Sequence, residues 1–190
     1  MSAPRVSVAV PLYNEEANLP ELLRRVGAVL DALPGGPHEL VLVDDGSSDR
    51  SRAMMEEAAR TDPRVVAVFL SRNFGHQAAL SAALDHVSGD VVVLADGDLQ
   101  DPPEEIPVLY ERYKAGYDLV YGLRRERKDT LLKRVNSWLF WRAMNRMSGL
   151  HMPPNQMMLR ILSRRFVDTI CQMRESARFV VPFGTRPSTN

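Results

Sequence analysis

The chain has 190 residues, of which 45% are hydrophobic and 25% are charged; this composition supports one domain with a buried core and excludes intrinsic disorder. The single cysteine, Cys171, excludes a disulfide-bonded scaffold and a four-cysteine zinc site. Because neither a secretory leader nor an apolar run of about 18 residues occurs, we expect a cytosolic protein in a reducing compartment.

Short β-rich runs alternate with segments of helical period through the first 121 residues, as in parallel strands joined by helical crossovers. Strands are predicted at residues 6–12, 39–45, 65–70, 90–96 and 117–121. Helices are predicted over about 16–33, 49–60 and 75–87, and a fourth begins after Asp101. Helix caps are predicted at Asn14 or Asn18, within Ser47–Asp49, and at Asn73. Strands rich in Val, Ile and Leu suit a sheet covered on both faces, so the predicted class is α/β.

The net charge is zero, but the charges are unevenly distributed. Residues 1–121 carry 10 basic and 20 acidic residues, whereas residues 122–165 carry 11 and 2. This asymmetry indicates one segment that handles cations and another that handles phosphates or acidic lipids. The basic stretch has no nucleic-acid-binding motif, so we expect no nucleic-acid partner.

Residues 129–150 follow a helical period, with an apolar side that includes Leu131, Val135 and Leu139 and with basic residues on the other side. Trp138 and Trp141, the only tryptophans of the sequence, lie beside these bases. The combination is typical of a helix in a membrane interface, and it is equally typical of a surface helix that packs on the sheet. Both interpretations stay open.

Acidic side chains follow three predicted strands where each strand ends. They are Glu15, Glu16, Asp44, Asp45, Asp96 and Asp98. Because the carboxyl ends of parallel strands meet at one edge of a sheet, these carboxylates are expected to converge. Crowded carboxylates repel one another unless a cation or a ligand relieves the repulsion, and hard oxygen donors favour Mg²⁺ or Mn²⁺ completed by substrate phosphates.

Each of these patterns is weak when taken alone. Asp96-Gly97-Asp98 is common turn chemistry, and Ser47–Asp49 are interpreted as a turn and a helix cap. His76 begins the third predicted helix, where a solvated side chain is favoured over a phosphate ligand.

Five strings occur together in an order that resembles one family. They are VAVPLYNEEANLPELL, LVLVDDGSSDRS, LSRNFGHQAALSAAL, VVVLADGDLQDPPE and YGLR. The chain resembles the family 2 inverting glycosyltransferases, above all the polyprenyl-phosphate (dolichol-phosphate-type) sugar transferases, over about residues 5–168. The resemblance implies a Rossmann-like nucleotide-diphospho-sugar transferase fold with a mostly parallel sheet, helices on both faces and an Asp-x-Asp metal site.

The resemblance also implies a pocket for the base and ribose of the nucleotide. Its residues are Pro11, Tyr13 and Glu15, with Asp45 hydrogen-bonded to the base and with Val43 and Asp44 beside the pocket.

A metal and phosphate site is implied in the same way. Asp96 and Asp98 would hold Mg²⁺ or Mn²⁺, Gln100 would complete the coordination, and Gly97 would let the donor approach the backbone. Arg124, in a Gly-x-Arg motif, would contact the diphosphate or the lipid phosphate. These roles are physically sound, since a metal neutralises charge on the leaving diphosphate and an arginine grips phosphate in a bidentate manner.

The chain departs from its relatives at the expected catalytic base. Where they carry an aspartate in an Asp-x-Gly-x-Phe-Arg-Leu stretch, this chain has Asn155, followed by Arg160 at the arginine position. An amide cannot accept a proton at neutral pH, but a phosphate acceptor with a second pKa of about 6 is already largely ionised. We therefore expect Asn155 to act through hydrogen bonding and Arg160 through binding of the acceptor phosphate.

The expected function is transfer of a sugar, with inversion, from a UDP- or GDP-linked donor to polyprenyl phosphate. We expect the protein to be cytoplasmic and to act as a peripheral protein at the inner face of the membrane, on an anionic membrane surface. The expected organisation is a nucleotide-sugar-binding core at 1–128 and an acceptor- and membrane-facing segment of the same domain at 129–190. The sequence leaves open whether a second copy of the chain or a separate membrane subunit is a partner. Two alternatives are a nucleotide-sugar-binding fragment without turnover and a metal-dependent phosphohydrolase with Asp96 as its nucleophile.

Overall fold

The computed structural model describes residues 4–123 and 156–172, which form one sheet flanked by helices. In chain order the elements are β1 (Val6–Leu12), α1 (Leu19–Ala32), β2 (Glu39–Asp44), α2 (Ser51–Thr61), β3 (Val65–Phe69), α3 (His76–His86), β4 (Val91–Leu94), a 3₁₀ turn (Pro103–Glu105), α4 (Ile106–Tyr113), β5 (Leu119–Leu123), β6 (Gln156–Ser163) and α5 (Arg164–Cys171). The five predicted strands and four predicted helices are confirmed, with shifts of a few residues at their ends.

The sheet has six strands in the order β3-β2-β1-β4-β6-β5. Strands β1 to β4 are parallel, and β6 is antiparallel to both of its neighbours, β4 and β5. Five strands therefore run in one direction and β6 runs against them, so the expectation of a mostly parallel sheet is confirmed with one exception. Neither β6 nor α5 was predicted, because the segment around Arg160 was interpreted as a site motif and not as a strand.

Alternate residues of the central strands enter two separate cores, one on each face of the sheet. Val8 and Val10 of β1 pack with α1, α2 and α4 on one face, whereas Ala9 packs with α3 and α5 on the other. All residues of β1 and β2 are buried. Burial on both faces holds the strand ends at fixed positions, and the functional residues extend from those ends.

The helix caps differ in part from their predictions. Asn18 precedes α1 but makes no capping hydrogen bond with its side chain. The prediction for α3 is wrong, since its N-cap is Gly75 and not Asn73. Gly75 has a φ of 94°, a conformation that glycine adopts without strain.

The predicted helix at 129–150, with Trp138 and Trp141, lies outside the described residues. Among the helices that the structure describes, none has both the length and the apolar character required to cross a membrane.

Candidate active site

A cleft of about 280 Å³ lies at the carboxyl ends of β1, β2 and β4 and is closed on one side by the first turn of α3. The residues assigned by resemblance that line it are Pro11, Tyr13, Glu15, Asp45, Asp96, Gly97 and Asp98. The expected convergence of strand-end carboxylates is thus found, because the parallel strands end at the same edge. Of the other assigned residues, Arg124 and Asn155 lie outside the described residues.

Asp45 anchors the loop that leads into α3. Its side chain is buried, and its two carboxylate oxygens accept hydrogen bonds from the backbone N–H groups of Phe74, at 2.8 Å, and Gly75, at 2.9 Å. A carboxylate oxygen can accept more than one hydrogen bond, so Asp45 keeps acceptor capacity toward the cleft. The structure thereby adds a positioning role to the base contact that the resemblance implies.

Asp44 and Val43 are fully buried behind the cleft and do not line it. Oδ1 of Asp44 accepts a hydrogen bond from the N–H of Ser47 at 3.0 Å, whereas Oδ2 is buried without a hydrogen-bond partner among the described residues. Gly46 has a φ of 71°, and a Cβ atom there would lie 2.4 Å from the carbonyl carbon of Arg72. The turn after β2 therefore requires glycine for both conformation and space.

Ser47–Asp49 form the turn before α2, as predicted, but the N-cap of the helix is Arg50, whose side chain makes no capping hydrogen bond. Oγ of Ser47 accepts a hydrogen bond from the N–H of Asn14 at 2.9 Å, and Oδ1 of Asn14 accepts one from the N–H of Ser48 at 2.8 Å. Oδ1 of Asp49 accepts one from the N–H of Ser51 at 2.9 Å. These bonds tie the turns after β1 and β2 together, and they shape the wall of the cleft.

Tyr13 and Glu15 project from the turn after β1. The Tyr13 side chain is 47% exposed at the rim of the cleft, where its ring is available to a ligand. The carboxylate of Glu15 accepts a hydrogen bond from the Asn18 side chain at 2.7 Å, and its backbone N–H donates to Oγ of Ser51 at 2.9 Å. Glu15 is therefore held in place before any ligand binds.

Asp96 and Asp98 differ in environment although they are two residues apart. Burial raises the pKa of Asp96 above its ordinary value; the charges of Asp98 and Asp101 raise it further, whereas His76 and Arg160 act in the opposite direction. Asp98 is exposed, and its Oδ1 accepts a hydrogen bond from the backbone N–H of the neighbouring residue 100 at 3.0 Å. The half-buried carboxylate of Asp96 is costly to ionise, and a cation would relieve that cost.

Gly97 allows the segment between these aspartates to pack against the end of β1. A Cβ atom at Gly97 would lie 2.3 Å from Cδ2 of Leu12 and 3.6 Å from Cγ of Glu15. Glycine is thus required by the protein's own packing, in addition to the donor approach that the resemblance implies.

His76 lines the cleft, although the sequence interpretation did not assign it to the site. It begins α3 and is about half exposed, as a solvated helix-start residue would be. Its Nε2 lies 3.7 Å from Oδ1 of Asp96. Its position beside the strand-end carboxylates was the available signal, because the predicted third helix starts at the same edge of the sheet.

Arg160 reaches the same region from β6. Burial lowers the pKa of its guanidinium from the ordinary value, and the charges of Asp96, Tyr121 and Asp101 oppose that shift. A guanidinium stays protonated in proteins, so Arg160, which pairs with Leu94 two residues before Asp96, favours the ionised form of that carboxyl.

The donor set fits a divalent cation that is shared with a ligand. In the residues that the structure describes, no cluster of three or more His, Cys, Asp or Glu side chains is arranged to hold a metal ion. Asp96 and Asp98 supply two carboxylates, and Mg²⁺ is commonly bound through one or two carboxylates, waters and substrate phosphates. Gln100 is exposed next to this pair and does not line the cleft.

Comparison with known proteins connects these features to one family. The profile described as Glycosyl transferase family 2 matches residues 7–175. A protein of Pseudomonas aeruginosa named undecaprenyl-phosphate 4-deoxy-4-formamido-L-arabinose transferase is 47% identical over 176 residues, which cover 92% of this chain and 52% of that protein. A protein of the same name from Klebsiella pneumoniae is 42% identical over 177 residues, covering 93% and 54%. The chain thus spans about half the length of the curated relatives it matches.

Solved structures share the fold. A mannosyltransferase from Pyrobaculum calidifontis in complex with GDP-Man and Mn²⁺ matches with a TM-score of 0.63 at 23% identity, over 90% of this chain and 47% of that one. Glucosyl-3-phosphoglycerate synthase from Mycobacterium tuberculosis in complex with UDP matches with a TM-score of 0.59 at 26% identity, over 86% and 58%. The expected nucleotide-diphospho-sugar transferase fold is confirmed.

Proposed function

The chain belongs to glycosyl transferase family 2, and from this premise we propose that it transfers a sugar from a UDP- or GDP-linked donor to polyprenyl phosphate with inversion. One observation carries the proposal: Glu15, Asp45, Asp96 and Asp98 line a single cleft at the carboxyl ends of parallel strands. Relatives at 42% and 47% identity that are named undecaprenyl-phosphate sugar transferases support the acceptor class.

The nucleotide occupies the side of the cleft that β1 and β2 form. Pro11 and Tyr13 contact the base, Glu15 the ribose hydroxyls, and Asp45 accepts a hydrogen bond from the base while it holds the loop before α3. The anchored positions of Glu15 and Asp45 support this arrangement, since preorganised groups lose less entropy on binding. A solved structure of the same fold, at 26% identity, was determined in complex with UDP, which supports a nucleotide ligand.

The diphosphate lies over Asp96 and Asp98. These two carboxylates, with Gln100, would hold Mg²⁺ or Mn²⁺, and the ion would neutralise charge on the leaving diphosphate. The raised pKa of Asp96 supports this assignment, because burial makes its charge costly until a cation is bound. Arg124 contacts the diphosphate or the lipid phosphate.

The acceptor phosphate meets the sugar on the β4 side of the cleft, toward Arg160 of the neighbouring strand β6. Arg160 binds this phosphate and orients its oxygen toward the anomeric carbon, and Asn155 contributes a hydrogen bond. Because the phosphate is largely ionised near neutral pH, positioning and not proton removal is the main demand on these residues. The protein acts at the inner face of the membrane, where the 11 basic and 2 acidic residues of segment 122–165 favour anionic lipid.

The deciding experiment incubates the chain with UDP- and GDP-sugars and polyprenyl phosphate and follows sugar-phosphate-lipid formation by mass spectrometry. Transfer supports the proposal. Donor binding without transfer would identify a binding fragment, and release of phosphate alone would identify a phosphohydrolase. Asp98→Ala is expected to abolish transfer. Asp62→Ala, which alters a carboxylate in the loop between α2 and β3, is the matched control and is expected to retain it.

A further inference from the structure

Asp101 makes an unusual contact for a residue in the loop that follows Asp98. Its side chain is buried, with 6% of the residue exposed. Oδ2 accepts hydrogen bonds from two backbone N–H groups of β6, those of Met158 at 2.6 Å and Leu159 at 3.3 Å. Hydrogen bonds to a carboxylate are stronger than hydrogen bonds between neutral groups, so Asp101 holds its loop against β6.

The same stretch of β6 is irregular. Tyr121 of β5 pairs with Arg160 and Leu123 pairs with Gln156, so two steps along β5 correspond to four along β6. The extra residues form a bulge, whose unpaired backbone groups require other partners. The Asp101 carboxylate supplies an acceptor for two of them.

Gly122 of β5 lies against the Met157 side chain of the bulge. A Cβ atom at Gly122 would lie 2.2 Å from Sδ of Met157. Glycine thus leaves the space that the Met157 side chain occupies. The bulge is held between Asp101 on one side and Gly122 on the other.

Arg160 is the residue at which β6 returns to regular pairing. It pairs with Tyr121 of β5 and with Leu94 of β4, and its Nη2 lies 3.9 Å from Sδ of Met158. Because side chains alternate between the faces of a strand, a slip of β6 by one residue would replace Arg160 with a hydrophobic neighbour. The bulge therefore ends at the residue that carries the guanidinium.

We propose that Asp101 is a positioning residue, which fixes the β6 bulge through Met158 and Leu159 and so keeps Arg160 in register with Leu94, two residues before Asp96. It acts without touching the substrate. The inference rests on the proposed function only where its test uses transfer as the readout.

The first test does not need activity. In Asp101→Ala, amide hydrogen exchange at Met158 and Leu159 should be at least about tenfold faster than in the wild type, and the Nε–H NMR signal of Arg160 should shift. Asp101→Asn, which keeps one acceptor oxygen, should show a smaller change and guards against loss of folding in the alanine variant. Asp62→Ala is the matched control, since Asp62 accepts a hydrogen bond from the backbone N–H of Arg64 at 2.9 Å far from β6. It should accelerate exchange only near Arg64.

The second test is a double-mutant cycle on transfer. Asp101→Ala and Arg160→Ala should each slow transfer by at least about tenfold, and the double variant should be within about twofold of Arg160→Ala alone. Fully multiplicative losses would overturn the proposal, as would unchanged exchange at Met158 or an unshifted Arg160 signal. If the wild type transfers no sugar, the proposed function fails, whereas the exchange and NMR measurements still decide the role of Asp101.

Discussion

Nε2 of His76 lies 3.7 Å from Oδ1 of Asp96, so the first residue of α3 faces the half-buried carboxylate that follows β4. This separation is too long for a hydrogen bond. The two residues are 20 apart in sequence, and both line the cleft in which the proposed diphosphate site lies.

Asp98→Ala is expected to weaken nucleotide-diphosphate binding at least about tenfold, and excess chelator should do the same to the wild type, because the carboxylate would hold the cation against the diphosphate. Isothermal titration calorimetry measures both effects. Asp62→Ala serves as the control with wild-type affinity. Affinity within about twofold of wild type in Asp98→Ala or under chelation would refute the metal assignment.

Asp96→Asn should stabilise the metal-free protein near neutral pH. Burial raises the pKa of Asp96, so the folded state pays to ionise this carboxyl. Below the ordinary Asp pKa of about 3.9 both states are protonated and no penalty exists; as pH rises through the raised pKa, the wild type loses stability that the asparagine variant keeps. Urea unfolding in chelator across this pH range measures the difference.

Asp62→Asn should change the stability of the protein in the opposite direction in the same experiment. Hydrogen bonds from Arg64 lower the pKa of Asp62, so its charge contributes stability that is present above the ordinary Asp pKa and is lost as pH falls. The asparagine variant should therefore be less stable than wild type near neutral pH. Equal pH trends for the two variants would contradict the environment assigned to Asp96.

Glu39→Ala should destabilise the fold by about 2–4 kcal/mol without altering nucleotide affinity. Glu39 is buried at the edge of the sheet opposite the cleft, where it accepts hydrogen bonds from Oγ of Ser7 at 2.5 Å, from the N–H of Ser88 at 2.6 Å and from Arg5 at 2.7 Å. Burial acts to raise its pKa, but these bonds outweigh it and the pKa lies below its ordinary value.

The stabilisation by Glu39 should be complete above the ordinary Glu pKa of about 4.3 and should be lost as pH falls through the lowered pKa. Thermal unfolding as a function of pH measures this loss. Glu21→Ala is the control, because its pair with Arg24 is exposed and contributes little. Similar losses for Glu21→Ala and Glu39→Ala would refute the role of the buried network.

Segment 122–165 should bind vesicles that contain anionic lipid and should release them as salt rises, since each Lys or Arg near such a surface contributes about 1 kcal/mol. Replacement of both Trp138 and Trp141 by alanine should weaken the binding. Liposome flotation compares anionic with neutral vesicles. Equal binding to both, or no effect of the double replacement, would reject a membrane-interface helix and favour the packed surface helix.

Arg160→Ala should lower transfer from bound donor at least about tenfold, or about 1.4 kcal/mol of barrier, because the acceptor phosphate would lose its cation. Asn155→Asp should preserve or raise transfer if the acceptor phosphate needs little help from a base. One transfer assay measures both variants. Abolished transfer in Asn155→Asp would show that the amide is required, and an unaffected Arg160→Ala would remove the acceptor site.

Local sequence was sufficient to predict most of the fold. The Val- and Leu-rich runs of β1, β2 and β4 are short and buried on both faces, and the intervening segments have helical period, so each element could be predicted from its own residues. Strand β6 could not be predicted in this way. It pairs with β4 and β5 across long sequence separations, and its bulge depends on the distant residues Asp101 and Gly122.

The candidate site likewise has features that local sequence predicts and features that depend on long-range packing. The sequence determined by itself that Glu15, Asp45, Asp96 and Asp98 share one edge, because any parallel sheet brings the carboxyl ends of its strands together. Only the tertiary structure decided that His76 faces Asp96 and that β6 places Arg160 in register with Leu94 of β4. Those relationships depend on helix start and strand register, which long-range packing sets and no local pattern contains.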